Sequence, residues 1–348
     1  MITGTLKKAI RLIATDPAFA LTGYRILNHQ KKAAAIRQKY EREGILVPAV
    51  MMISVTLRCN LACNGCYQRA QHRPASAEMT ADQLRSVVSQ ASDLGVSVIV
   101  FAGGEPLLKK DEIFPLAKAY PKILFAVFSN GQLIDDRVAD EIAEIRNIVP
   151  LLSFEGFRKE TDLRRGSGVY DRLTAAGRLL KDRRIFFGIS VTVTSRNIQR
   201  VLHDDFVSGM TGAGARVFVY VEYVPIEPGT EELVLSAAQR EQLRAGLHSF
   251  DREKPALFIG FPGDEEDYGG CLAAGRGFVH ISPSGDLEPC PAAPFSDTNT
   301  TKIPLKEAFR SGFLEKIRSS HNALTETNGG CALWTNRKWV QELLAQGK

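Results

Sequence analysis

The stretch TLRCNLACNGCY at residues 56–67 places three cysteines close together behind an apolar segment. Cys59, Cys63 and Cys66 occupy positions i, i+4 and i+7. Three thiolates at this spacing can hold three irons of a cubane cluster and leave the fourth iron without a protein ligand. An open iron beside the end of a strand is a site for a chelating substrate as well as for electron storage.

A zinc knuckle with His72 as the fourth ligand is the alternative for these three cysteines. A second motif helps to separate the two interpretations. The run FAGGEP at residues 101–106 is a buried strand ending, then a Gly-Gly turn and a carboxylate. This run ends the next predicted strand along the chain, and the family resemblance that the two motifs carry together favours an iron–sulfur cluster over zinc.

Together, the two motifs resemble the radical S-adenosylmethionine (radical SAM) superfamily, in which the open iron chelates the methionine moiety of the cofactor. Gly65 departs from the family, which often has an aromatic residue there, and Tyr67 is the residue that would cover the cluster instead. The resemblance implies a [4Fe–4S] cluster with S-adenosylmethionine and an electron donor of the flavodoxin or ferredoxin type. The reaction it implies is reductive cleavage to a 5′-deoxyadenosyl radical, which abstracts hydrogen from a substrate.

Apolar runs alternate with helical periodicity from residue 48 onward, which predicts α/β architecture with a parallel sheet and outer helices. The family's fold is a partial (β/α)6 TIM-like barrel, and function in such barrels lies at the C-terminal strand ends. The predicted strands are 49–56, 97–101, 123–129, 148–154, 185–194 and 216–223. The predicted helices are 80–93, 111–119, 135–145, 169–181, 197–212 and 237–249.

The resemblance also assigns residues to the cofactor's methionine end. Gly103 and Gly104 would let the backbone approach the cofactor closely, and their carbonyl groups would accept hydrogen bonds from its ammonium group. Glu105 would orient this turn or accept from the ammonium directly. Arg165 would pair with the carboxylate through its planar fork. An ordinary turn, and a surface arginine beside Arg164, are the structural alternatives.

For the ribose, candidates come from the ends of later strands. Ser129 ends the third predicted strand, and Ser153 with Glu155 ends the fourth, where the family commonly has an aspartate in place of this glutamate. Ser190 on the fifth strand is a further candidate for the cofactor pocket.

The other three cysteines, Cys271, Cys290 and Cys331, lie beyond the alternating pattern. The run ISPSGDLEPC at 281–290, a predicted hairpin, resembles the start of the auxiliary-cluster extensions called SPASM and twitch. The resemblance implies one auxiliary [4Fe–4S] cluster with an iron free of thiolate, which would bind substrate or a residue such as His280 or Asp297. Zinc and unligated thiols are the alternatives. A helix is predicted over 304–318.

Three parts follow along the chain of 348 residues, of which 44% are apolar. They are a basic helical extension (1–47), the radical SAM barrel (48–253) and a twitch-like domain with an auxiliary iron–sulfur cluster (254–348). The absence of a signal peptide and the use of cysteine as metal ligand predict a cytoplasmic protein. The longest uncharged run, 44–57, is too short to span a bilayer.

The net charge of +5 is concentrated near the start of the chain. Residues 1–44 hold nine Lys/Arg and three acids, a net of +6, so the remainder carries −1. This arm is predicted to form two helices, the second starting at Asp16-Pro17 and ending at Gly44. It suggests an anionic partner, a membrane surface or a nucleic acid, and peripheral membrane association. A solvated helix face packed on the barrel is the alternative.

The sequence thus predicts a radical SAM enzyme that modifies a substrate held between the barrel and the C-terminal domain, by oxidation, rearrangement or bond formation. A lipid or membrane-associated substrate or a small metabolite is favoured. A ribosomal-peptide or protein maturase of the SPASM/twitch type is one alternative. A non-catalytic metal-binding scaffold is the alternative from another class.

Overall fold

A curled sheet of nine strands organises the computed structural model, which describes residues 17–73, 78–261, 269–324 and 331–346. The strand order is 7-6-5-4-3-2-1-8-9. All neighbouring pairs are parallel except β8 and β9. The strands are β1 (Val50–Thr56), β2 (Val98–Gly103), β3 (Leu124–Ser129), β4 (Ile148–Phe154), β5 (Gly188–Val193), β6 (Val217–Glu222), β7 (Leu257–Phe261), β8 (Phe278–Ile281) and β9 (Leu287–Glu288).

Helices follow the strands and bury the outer face of the sheet. Several begin at side-chain caps that the sequence supplies: Thr80 and Ser236 both form capping boxes with a glutamine three residues later. The helices are α1 (Pro17–Arg42), α2 (Tyr67–Ala70), α3 (Ala81–Asp93), α4 (Lys110–Ala119), α5 (Asp136–Ile145), α6 (Arg158–Arg165), α7 (Val169–Asp182), α8 (Ile198–Val201), α9 (Asp204–Gly212), α10 (Ala237–Glu253), α11 (Leu305–Ala308), α12 (Gly312–Ser319), α13 (Ala332–Thr335) and α14 (Arg337–Ala345).

The predicted α/β half-barrel is confirmed, and all six predicted strands are present. Two predicted helices are each divided: 197–212 into α8 and α9, and 304–318 into α11 and α12. The second break occurs where the Ser311 side chain caps a new helix by accepting from the Leu314 N–H. The short helix α6, which matters for the site below, was not predicted from the sequence.

The alternating pattern, for which 237–249 was the last predicted helix, continues for one more strand. Five residues of β7 pair in parallel with β6 along one edge of the sheet. At the other edge β8 pairs in parallel with β1, so the predicted hairpin β8–β9 continues the barrel sheet. A strand as short as β7, with a glycine inside it, carries too little periodicity to be recognised. The division of the chain at 253/254 stays a prediction.

The second helix of the basic arm is confirmed as α1, and Gly44 follows it with a left-handed φ of 76°. The first helix of the arm lies outside the described residues. α1 packs where β2 begins: Arg37 Nη1 donates to Gly95 O at 2.5 Å, and Ala33 is fully buried. It therefore covers the N-terminal end of the barrel. In the described parts of the chain, no helix is both long and apolar enough to cross a membrane.

Candidate active site

The loop that carries the first three cysteines leaves the C-terminal end of β1 and is held there by a carboxylate. Glu78 Oε1 accepts from Thr56 Oγ1 at 2.7 Å and from the Leu57 N–H at 2.9 Å. Partial burial alone would raise the pKa of Glu78, but these bonds and the nearby Lys109 ammonium lower it overall. Glu78 therefore stays ionised and fixes the start of the loop.

The Gly-Gly turn after β2 lies directly against this loop. The Gly104 N–H donates to Thr56 O at 2.8 Å, and the Glu105 N–H donates to Arg58 O at 2.9 Å. A Cβ atom on Gly104 would stand 2.0 Å from Arg58 O, and one on Gly103, whose φ is 118°, would stand 2.5 Å from Thr56 O. Only glycines permit this approach, so the motif is more than an ordinary turn.

Glu105 is buried and binds groups of the neighbouring strand. Its Oε1 accepts from the Leu107 N–H and from Ser129 Oγ, both at 3.0 Å, and its Oε2 accepts from the Asn130 N–H at 2.8 Å. Burial raises the pKa of Glu105 above its ordinary value, and these three bonds oppose that shift. Of its two predicted roles, the contacts support orientation of the turn. They also hold Ser129 inside the turn, where its hydroxyl accepts from the Gly131 N–H.

Glu155 follows β4 and binds two consecutive arginines of α6. Its Oε1 lies 2.5 Å from Arg164 Nη1 and 2.6 Å from Arg165 Nη2. Its Oε2 is buried and has no hydrogen-bond partner among the described residues. Buried carboxylate oxygens are normally hydrogen-bonded, so this oxygen is available to a hydrogen-bond donor of a bound molecule. A ribose hydroxyl is such a donor, so this carboxylate suits the role predicted for it.

Arg164 and Arg165 contact different parts of the site. Arg164 also donates to Asn64 O at 3.2 Å and Gly65 O at 3.4 Å, which anchors the far side of the cysteine loop. Burial raises the pKa of both Cys63 and Glu105, and the charge of Arg165 opposes both shifts, so this guanidinium lies near the Cys63 thiol and the Glu105 carboxylate. Arg165 thus stands among the predicted cofactor residues, whereas Arg164 was not predicted as part of the site.

Ser153 and Ser190 are register partners on β4 and β5, and their hydroxyl oxygens are 3.1 Å apart. Both side chains are buried. Because side chains alternate along a strand, they share a face of the sheet with Leu151 on β4 and Val219 on β6, which belong to an apolar cluster separate from the main core. The pair therefore offers two hydroxyls on the inner face of the barrel, just beneath the strand ends.

The second set of cysteines is buried beside the β8–β9 hairpin. Cys290 and Cys331 are 5% and 9% exposed, and Cys271 is half-buried. The thiols of Cys290 and Cys331 are hydrogen-bonded to each other; this bond, burial and the nearby Cys271 raise the pKa of Cys290 well above its ordinary value. The structure therefore brings together three thiols that the sequence holds far apart.

The two residues predicted as further ligands of this second set are engaged elsewhere. His280 Nε2 lies 2.8 Å from Ser54 Oγ, and its Nδ1 lies 2.7 Å from Glu288 Oε2. Asp297 accepts from Ser311 Oγ at 2.7 Å and from the Phe313 N–H at the start of α12. A histidine ligand needs one free ring nitrogen, so the prediction for His280 does not agree with the structure.

A buried ion pair joins the two cysteine regions. Arg73 binds Glu288 through two bonds of 2.6 and 2.8 Å, and Gln71 Nε2 donates to Pro291 O at 2.5 Å. Gln71 and Arg73 follow Cys66 closely in sequence, whereas Glu288 and Pro291 lie on either side of Cys290. No pattern in the sequence indicated this connection.

The donor sets can also be compared with the needs of a single metal ion. Among the described residues, no three His, Cys, Asp or Glu side chains converge closely enough to hold one ion. Three thiols on one loop, with a partner-free carboxylate oxygen and an arginine beside them, fit a larger cluster together with a charged organic cofactor.

The sequence model of the Radical SAM superfamily matches residues 53–204. Residues 53–204 of this chain form a Radical SAM superfamily domain. The matched range contains the first three cysteines, the Gly-Gly turn, Glu155 and Arg165, but none of the second set. The predicted family resemblance is confirmed, and the homologues in this family are enzymes. The reaction and the substrate of this chain belong to the proposal below.

Two relatives show how far the similarity extends. The pre-heme d1 synthase of Dinoroseobacter shibae is 34% identical over 152 residues, which cover 42% of this chain and only 37% of that protein. The AdoMet-dependent heme synthase of Methanosarcina barkeri is 23% identical over 322 residues, covering 84% of this chain and 89% of that protein.

Among solved structures, Streptococcus suis SuiB bound to S-adenosylmethionine superposes with a TM-score of 0.66 at 19% identity. The match covers 90% of this chain and 76% of SuiB. Similarity at this level of identity concerns the fold, and it extends beyond the matched domain into the C-terminal region.

Proposed function

We propose that this protein cleaves S-adenosylmethionine at Cys59, Cys63 and Cys66 and uses the resulting radical on a substrate held between the barrel and the C-terminal region. The observation that carries the proposal is the meeting of the cysteine loop, the Gly-Gly turn and the Glu155–Arg165 pair at one end of the barrel. Bound there, a [4Fe–4S] cluster and S-adenosylmethionine would supply a 5′-deoxyadenosyl radical.

The side chains have separate tasks in this proposal. Arg165 binds the methionine carboxylate, and the free oxygen of Glu155 accepts from a ribose hydroxyl. Glu105 holds the Gly-Gly turn in place, and Arg164 anchors the cysteine loop from the other side. The second set of cysteines holds a second cluster, and Arg73 with Glu288 fixes that region against the first.

For the substrate we place a tetrapyrrole first, because a relative that matches 84% of this chain is named an AdoMet-dependent heme synthase. A peptide is the second candidate, because the C-terminal motif also resembles that of SPASM/twitch peptide maturases. The test is an anaerobic reaction with S-adenosylmethionine, a reductant and either an iron porphyrin or a peptide. Mass spectrometry should find a modified porphyrin; deoxyadenosine without any product from either would contradict this choice.

We also propose that the basic arm binds an anionic membrane. Lys31, Lys32, Lys39 and Arg42 are exposed on α1, and each basic residue near such a surface contributes about 1 kcal/mol. Vesicles with anionic lipid should co-sediment the full chain at low salt and release it at high salt, because surface charges are screened within about 10 Å at 0.1 M. If the chain ignores these vesicles at low salt, α1 serves only to pack on the barrel.

A further inference from the structure

Asn130, the residue after β3, has a side-chain amide whose orientation is fixed by its neighbours. It is 5% exposed, and its backbone N–H donates to Glu105 Oε2. Its Oδ1 accepts from the Gln132 N–H at 3.0 Å. The amide nitrogen is therefore directed away from the turn, toward the cysteine loop.

The amide nitrogen reaches one of the three thiols. Asn130 Nδ2 donates to Asn60 Oδ1 at 2.7 Å and lies within hydrogen-bond distance, 3.7 Å, of Cys59 Sγ. The Leu61 N–H donates to the same sulfur at 3.4 Å. No hydrogen bond to the sulfur of Cys63 or Cys66 is found in the described part of the chain, so the three thiols are not equivalent.

We propose that Asn130 is a positioning residue that donates to the Cys59 thiolate of the bound cluster and raises its reduction potential. An N–H group directed at a ligand sulfur offsets negative charge and so favours the reduced, more negative state. Glu105 acts on the cluster through Asn130, because it fixes the backbone from which the amide extends. This inference rests on the cluster assigned under the proposed function.

The experiment is a redox titration of the reconstituted full chain, followed by electron paramagnetic resonance. Asn130→Ala removes the donor, and Asn130→Asp keeps its shape but replaces the donor with a negative charge. We expect the midpoint potential to fall in the order wild type, Asn130→Ala, Asn130→Asp. Asn64→Ala is the matched control: this asparagine lies on the same loop and donates to Leu163 O, so the potential should not change.

An unchanged potential in Asn130→Ala, with iron content like the wild type, overturns the inference and leaves the proposed function intact. If Asn130→Ala does not retain iron, the midpoint potential of Asn130→Asp is measured instead. An unchanged potential in that variant also overturns the inference. Absence of iron from the wild-type triad would instead contradict the proposed function itself.

Discussion

The two sets of cysteines differ in how the chain brings them together. Cys59, Cys63 and Cys66 lie within eight residues on one partly exposed loop, which is anchored by hydrogen bonds and ion pairs. Cys271, Cys290 and Cys331 come from separate segments and are packed among apolar side chains. The first set depends on the polar groups around its loop, and the second depends on the packing of the C-terminal region.

The largest expected effect is on cofactor cleavage. Replacing Cys59, Cys63 and Cys66 together by alanine should reduce deoxyadenosine formation to background, because the open iron is lost. The second set should still hold about four irons. Product analysis and iron determination on the same sample provide the check, and deoxyadenosine production by this variant would show that the cleavage site lies elsewhere.

The converse variant tests the second set. With Cys271, Cys290 and Cys331 replaced by alanine, iron should fall from about eight to about four per chain while deoxyadenosine still forms. Substrate turnover should stop. Stoichiometric zinc in the wild type, or iron content that this variant leaves unchanged, would contradict a second iron–sulfur cluster.

Glu155→Ala should affect the first set alone. Removing this carboxylate leaves Arg164 and Arg165 without their partner, and breaking a buried ion pair costs about 3–5 kcal/mol. We expect a lower free energy of unfolding and loss of iron from the first site.

Arg165→Ala should weaken S-adenosylmethionine binding by about 1.5–3 kcal/mol. Calorimetry measures the loss of binding in Arg165→Ala, and chemical unfolding measures the loss of stability in Glu155→Ala. Equal loss of iron from both sites in Glu155→Ala would show that this residue does not act on the first set alone.

The smallest effect concerns thiol reactivity in the iron-free chain. The pKa of Cys290 is raised by its bond to Cys331 and by burial, so its reactive thiolate forms only at higher pH. Partial burial also raises the pKa of Cys59, but this residue is open to reagents on the exposed loop. At pH 8, Cys59 should be alkylated about tenfold or more faster than Cys290, as measured by mass spectrometry. Equal rates would mean that the second set is open to solvent.

Much of the barrel could be predicted because its signals are local. Apolar runs mark the strands, and the cysteine spacing and the Gly-Gly turn place chemistry at the ends of β1 and β2. The short strand β7 and the helix α6 were missed, since neither has enough residues to show a clear period. The predicted cofactor residues come together because they follow neighbouring parallel strands, whose ends meet at one edge of the sheet.

The sequence by itself determined the thiol spacing, the glycines that allow a close approach and the order of the first six strands, because these depend on adjacent residues. Only the tertiary structure decided which distant groups meet. Asn130 reaches Cys59 across 71 positions, and Arg73 reaches Glu288 across 215. Such contacts depend on strand register and on the direction of each side chain, which no local pattern specifies.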